Sequence, residues 1–508
     1  MNGFLFSVAS TANIGAGVAF TVIAVIFTFA VLLTAVWLLA RFIGADKSEN
    51  AVRYVVALVA AGVVLRFLTA FFIGGYRFDF AVYNRMIEHF LTNGVTNYYF
   101  KLGPEVYPLT FYVFALFGGL GRVFGIAADS AYLSVMIKIP FIIADAVTAV
   151  MLYKIGKKYI NPQTGAVIAG VFSICPVFFT ASGIWGTSLT LLLPFIAGSF
   201  YCLIEKKHFA AIMLYALSML VVKEAIYIYP VYFVYYLYIF IRALVAAVKA
   251  KKPFGEIAKD ANLSLAYKVP VYFVCAFLIK YVVSLPLIAV DMKGNPFTFV
   301  YELFLAPLSQ LEYFSYNGLS VFNIFGYNGE TVNVTFPSVI FAVCFALLIT
   351  GIVCAVYFSK KNRAVLPLLA AYVFYTLATY FLDSSVMSLY PVVFLLLLAF
   401  AYIKDRRLLQ VFFATSVLLT VNALSAMVNG GFMNMLSASS FVAPSYTGSP
   451  LMDAGFALGL NIALSVLAVA THIYLTLVTF DISMSNNRKL LSGREDIGYF
   501  EGIKKLFK

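Results

Sequence analysis

The sequence predicts an all-α, polytopic membrane protein, on three observations. Of the 508 residues, 63% are hydrophobic and 11% are charged, against about 25% charged in ordinary soluble domains; the mean hydropathy is +0.95. Apolar stretches long enough to cross about 30 Å of hydrocarbon recur about thirteen times. The Lys and Arg residues fall in short clusters between those stretches, as the positive-inside rule produces, so the net charge of +13 reports topology and not a nucleic-acid surface.

Taken in order, the expected spans are 17–40, 51–73, 131–153, 165–182, 185–204, 209–222, 224–246, 267–290, 337–358, 364–382, 387–403, 408–428 and 456–480. The first 16 residues hold no Lys or Arg, so the first span is expected to stay as an anchor rather than leave as a signal peptide. Alternation across these spans collects most of the 35 Lys and Arg residues on one side, which places the N-terminus outside and the C-terminus in the cytoplasm. Residues 1–482 thus form one transmembrane domain, with long outer loops at 74–130, 291–336 and 429–455, followed by a basic cytoplasmic tail at 483–508. The five cysteines (175, 202, 275, 344 and 354) lie within apolar segments and read as small core residues.

The loop from Gly74 to Leu120 is where polar sequence is first invested. Phe80, Tyr83, Met86/Ile87 and Phe90/Leu91 form a stripe at helical spacing, with Asn84, Arg85, Glu88 and His89 expected to face away. Tyr107 to Phe117 is apolar but would rise only about 16 Å as a helix, too little to cross. The glycines at 118, 119, 121 and 125 are expected to break it. Two juxtamembrane helices in the outer interface follow from these patterns.

From about Gly75 to Pro391 the order of motifs resembles the glycosyltransferase-C superfamily, and within it the branch of the second mannosyltransferase of GPI-anchor synthesis and its bacterial relatives. The matching residues are Asp79 after a span, Gly94 to Tyr99, Tyr107-Pro108, Lys138-Ile-Pro140 with Asp145, Trp185-Gly186, Lys223-Glu-Ala225 with Pro230, and Ser320-Val-Phe-Asn323-Ile-Phe325. The chain departs from the pattern at Thr187 and Leu189, where the family has Gln and Asp. It departs again at Ser385 to Tyr390, where a His-Glu-Arg-Tyr motif is expected. The resemblance implies an integral membrane enzyme that moves a mannose-like hexose, with inversion, from a polyprenyl-phosphate donor to an extracytoplasmic acceptor.

Such a reaction needs a base at the water–membrane boundary, for which Asp79 is the first candidate and Glu105 the second; Asp79 could equally be the N-cap of the helix that follows. The lipid phosphate leaving group needs a cation, assigned to Lys223 with Tyr227 beside it, or to Arg85. Tyr107, Trp185, Asn317 and Asn323 are candidate sugar or acceptor contacts, with an aromatic-belt or turn-capping role as the plainer alternative. Lys138 and Asp145, seven residues apart in a span, are expected to brace the bundle. With the three histidines scattered at 89, 208 and 472, no metal and no other cofactor is expected. A lipid-linked-glycan flippase and a non-catalytic relative of the transferases remain as alternative classes.

Overall fold

A computed structural model describes residues 50–95, 107–126, 131–250, 261–291, 315–328, 363–380, 384–427, 432–434 and 454–484, with single positions at 256, 348 and 350–352. The expected spans 17–40 and 337–358 lie almost wholly outside the described residues, as do Glu105 and nearly all of the tail.

The described chain is mostly helical. Its first helix is α1 (Ala51–Phe72), followed by strand β1 (Ile73–Tyr76) and α2 (Arg77–Asn93). Next come α3 (Pro108–Val123), α4 (Ala131–Tyr159) and α5 (Pro162–Ile174). A one-turn helix and a π-helical stretch, Thr180–Trp185, lead into α6 (Leu192–Ile204) and α7 (His208–Ser218). A 3-10 turn, Lys223–Ile228, opens α8 (Tyr229–Ala250), and α9 (Ala261–Asp291) follows. The last elements are β2 (Ser315–Tyr316), α10 (Leu366–Tyr380), β3 (Ser384–Ser385), α11 (Tyr390–Ile403), α12 (Arg406–Ala426), β4 (Phe432–Asn434) and α13 (Ala454–Met484).

Seven of these helices are long and apolar enough to cross a membrane, or eight if α5 and the helix bent 47° from it form one broken span. The protein is therefore membrane-embedded. The stretches expected as spans near 185–204, 209–222 and 387–403 form shorter apolar helices. Among them α11 is buried at every residue, packed between α10, α12, α4 and α5, and a helix apolar all round belongs at the centre of a bundle. Close approach is made by small residues: a Cβ on Gly156 of α4 would meet the Gly165 Cα of α5 at 2.7 Å.

The loops expected on one side of the membrane do meet at one end of the bundle. β1, from the first loop, pairs antiparallel with β4, from the last, in the register Ile73↔Asn434 and Tyr76↔Phe432. β2, from the middle loop, pairs in parallel with β3. The Asn422 amide donates to the Asn317 carbonyl at 2.9 Å, tying the end of α12 to the middle loop. Basic segments expected on the other side also meet one another. Lys158 pairs with Glu205 at 2.7 Å, Tyr159 donates to the same carboxylate, and its ring packs on Tyr402 at 4.7 Å. Arg407 bridges Asp405 at 2.6 Å and Asp481 at 2.9 Å.

The two helices of the first loop form, with differences. The stripe on α2 is buried by protein: Phe80, Tyr83, Met86 and Ile87 sit in the core, with Tyr83 packed on Phe114 of α3 and Phe141 of α4. His89, expected to face away, is buried beside Phe111. The glycines at 118, 119 and 121 do not break α3, which runs to Val123. Gly118 instead leaves the room that Ile87 occupies, and only Gly125, at φ 75, follows the helix end. Apolar side chains remain open at Leu91, the end of the stripe on α2, and on α3 and just beyond it at Leu116, Leu120, Val123 and Phe124.

Candidate functional site

Chain direction at the end of α1 is set by Gly75, whose φ of 116 lies in the region open to glycine. Tyr76 in extended backbone then precedes α2. This puts Asp79 at the third helical position, in the first turn; Tyr76 takes the N-cap place, so the N-cap assignment for Asp79 is corrected. Free N–H groups at this end favour a carboxylate.

A second segment meets it. The π-helical stretch ends at Trp185 because Gly186 turns left-handed, at φ 76. The Trp185 indole N–H donates to Asp79 Oδ2 at 2.8 Å, and the indole ring stacks on Tyr76 with centroids 3.9 Å apart. Lys138 fixes the distance between the two segments. Its ammonium donates to the carbonyls of Ile73 (2.6 Å), Gly183 (2.8 Å) and Ile184 (3.1 Å), one on the Asp79 side and two on the Trp185 side. The Phe80 ring fills the space between Gly75 and Gly186, with the Lys138 ammonium 5.6 Å from its centroid. Tyr83 completes the floor, its hydroxyl accepting from the Ser188 backbone N–H at 3.0 Å.

Asp79 is half-buried. Burial pushes its carboxyl up to about 6; the Trp185 hydrogen bond opposes that rise and the nearby charge of Glu224 adds to it. Tyr83 is pushed well above the ordinary phenol value, first by burial and then by the Asp79 charge. Such a carboxylate is ionised near neutrality yet basic enough to accept a proton. Gly186 is the joint on which this depends: a Cβ there would meet the Phe80 ring at 2.5 Å in a backbone conformation that side chains rarely adopt. Gly186→Ala is therefore expected to lower the melting temperature and break the Asp79–Trp185 contact, read as a red shift of Trp185 emission in a Trp37→Phe background.

The other sequence candidates fall in different places. Asp145 pairs with Arg66 at 2.8 Å and accepts from Ser182 at 2.6 Å deep in the bundle, and with Lys138 it holds segments together. Lys223 and Tyr227 are half-buried, but the turn that carries them is 3-10; at three residues per turn Lys223 lies above Ile226, so the shared face expected with Tyr227 does not form. Tyr227 packs edge-on to Phe374 at 5.2 Å. Arg85 is exposed on α2. Tyr107 is buried against Leu220. Asn323 is buried, donating to Gly318 O and to Asn461 at 3.3 Å. Asn317 holds a left-handed turn at φ 53, closed by paired hydrogen bonds with Asn328 at 2.8 Å. The plainer, turn-building role fits both asparagines, and neither is placed among acceptor contacts. Thr187 and Leu189 are buried in the 3-10 turn after Trp185, where the Thr187 hydroxyl accepts from Leu189 N at 3.3 Å.

Three contributors were not singled out from sequence: Arg66, Tyr76 and, as a neighbour of Asp79, Glu224. A guanidinium in the apolar interior of α1, well inside the helix from Arg53 at its start, was the available signal for Arg66, since such a group in a span needs a partner. Among the described residues no group of three or more His, Cys, Asp or Glu side chains gathers to hold a metal. No protein-family model matches the chain, and no curated protein matches it.

Proposed function

We propose that this protein is an integral membrane glycosyltransferase that moves a mannose-like sugar from a polyprenyl-phosphate carrier to an acceptor hydroxyl outside the cytoplasm. The observation that carries the proposal is the Asp79–Trp185 contact. It joins two of the motifs that resemble the glycosyltransferase-C pattern, 106 residues apart, at the end of the bundle where the long loops meet. In the proposed reaction, the Asp79 carboxylate takes the acceptor's O–H proton as that oxygen bonds to the anomeric carbon. The bond from that carbon to the carrier phosphate breaks on the opposite face, and polyprenyl phosphate leaves with the electron pair. Trp185 orients the carboxylate, while Lys223, with Arg85 as the alternative, balances the charge on the leaving phosphate. The looped end is assigned to the outer face of a bacterial plasma membrane because the basic clusters gather at the other end.

The test is transfer of label from polyprenyl-phosphate [14C]mannose to a membrane acceptor extract by the purified chain. Label in the acceptor fraction is the expected result; intact donor after prolonged incubation would remove the proposal. The pH dependence adds a sharper check. Activity is expected to fall about tenfold per pH unit below a midpoint near 6, the value to which the Asp79 carboxyl is raised. Trp185→Phe removes the donor that favours the ionised form and should move that midpoint up. Glu224→Gln removes a repelling charge and should move it down.

A further inference from the structure

The Asp79–Trp185 contact depends on how the stretch Thr180–Trp185 winds, and that winding is held from the opposite side. The Gly186 N–H donates to the Ala181 carbonyl at 2.9 Å, five residues back, where an α-turn would reach only four. In an α-helix a residue three along lies on nearly the same face as the first. The wider turn carries Trp185 further around the axis, off the face of Ser182. Ser182 thus points into the bundle while the indole reaches Tyr76 and Asp79.

The inner side is fixed by the Ser182 hydroxyl. Fully buried, it accepts from Arg66 Nε at 2.8 Å and donates to Asp145 Oδ2 at 2.6 Å. One side chain of the stretch is therefore tied to α1 and α4 together. The Phe178 carbonyl, four residues back at 3.1 Å, is the partner that a serine takes within an ordinary helix. Beside Ser182, the α1 backbone closes in on Gly183: a Cβ there would meet Thr69 Oγ1 at 2.6 Å and Arg66 Cα at 3.2 Å. The Gly183 and Ile184 carbonyls, whose α-helical donors would be Thr187 and Ser188, are taken by Lys138 at 2.8 and 3.1 Å. The Thr187 N–H reaches Ala181 O at 3.0 Å and the Ser188 N–H reaches the Tyr83 hydroxyl at 3.0 Å. The bonds that would wind this end as an α-helix are made elsewhere.

We propose that Ser182 is a positioning residue for Asp79: bonded to Arg66 and Asp145, it keeps the stretch in its wide turn and the Trp185 indole on the carboxylate. This rests on Asp79 as the base of the proposed transfer. Without the hydroxyl, the stretch loses its bond to α1 and α4, and the commoner α-turn becomes open to it. The Arg66–Asp145 pair then has two effects. It closes the bundle, and through Ser182 it aims Trp185.

The test is Ser182→Ala in the full-length chain, in the Trp37→Phe background, with emission, melting temperature and transfer measured on one preparation. Trp185 emission is expected to shift to the red. The kcat should fall by as much as about 100-fold, the effect of a displacement of about 1 Å, with the KM for the carrier-linked donor unchanged. The midpoint of the pH–activity profile should rise, because the indole N–H that favours ionised Asp79 is withdrawn. The double variant Arg66→Met/Asp145→Leu separates positioning from stability. It should melt close to the unaltered protein yet show the same red shift and raised midpoint, since Ser182 has lost both partners. Unchanged emission in Ser182→Ala, or an unshifted midpoint in the double variant, would overturn the proposal and leave Ser182 a packing residue. A red shift in Ser182→Ala, from a chain that transfers no sugar even when unaltered, would uphold the hold of Ser182 on Trp185 and remove the transfer reading alone.

Discussion

Asp79→Asn is expected to cut sugar transfer about 100- to 10,000-fold, the usual contribution of a general base, while leaving the fold in place. The amide keeps an oxygen that can accept the Trp185 N–H, so the 2.8 Å contact survives with the indole still stacked on Tyr76. Asp79 is half-buried, and among the described residues it enters no ion pair, so no charge is left stranded. Only the capacity to take a proton is lost. Turnover and melting temperature measured on one preparation separate these effects. Lost turnover with an unchanged melting temperature supports the base role; full turnover in the variant would remove Asp79 from it.

The largest effect on stability is expected from Arg66→Met. The guanidinium donates to Asp145 Oδ2 and Ser182 Oγ, both at 2.8 Å, and to the carbonyls of Gly62 and Ser173. Arg66 and Asp145 are both buried. Removing one partner leaves an uncompensated carboxylate in an apolar bundle, which costs about 3–5 kcal/mol. The double variant Arg66→Met/Asp145→Leu removes both charges and is expected to recover most of that loss, because a buried ion pair and a well-packed apolar pair differ little in net stability. Thermal unfolding of the two single variants and the double variant gives the coupling energy directly. Additive losses would mean that the pair is not the joint between α1, α4 and the π-helical stretch.

Much of the architecture was legible in the sequence because its cause is local. Apolar length marks a membrane helix, and span alternation with positive clusters marks a common side, so the pairing of residues 73–76 with 432–434, from the first and last of the long loops, could be anticipated from the sequence. Asp79 was legible as an isolated carboxylate after a span, and Lys138 as a charge within one. What the sequence left open depends on tertiary partners. A stripe such as Phe80, Tyr83, Met86 and Ile87 looks the same whether lipid or protein covers it. Gly118 reads as a breaker until Ile87 is seen to occupy the missing Cβ's place. Trp185 looks like an interfacial anchor until Gly186 is seen to turn its indole onto Asp79. Asn317 and Asn323 carry the same side chain that a sugar site would use, yet their hydrogen bonds close turns.

The central claim is a single displacement at the anomeric carbon with Asp79 as base, and the nearness of Glu224 makes its stereochemistry decisive. Two carboxylates can also support a double displacement through a covalent glycosyl intermediate, which retains configuration. The most direct measurement is the anomeric configuration of the product, read by NMR, after the chain reconstituted in proteoliposomes has turned over polyprenyl-phosphate mannose of defined anomer. Inversion is predicted. Retention, or donor that crosses the bilayer with its sugar–phosphate bond intact, would contradict it.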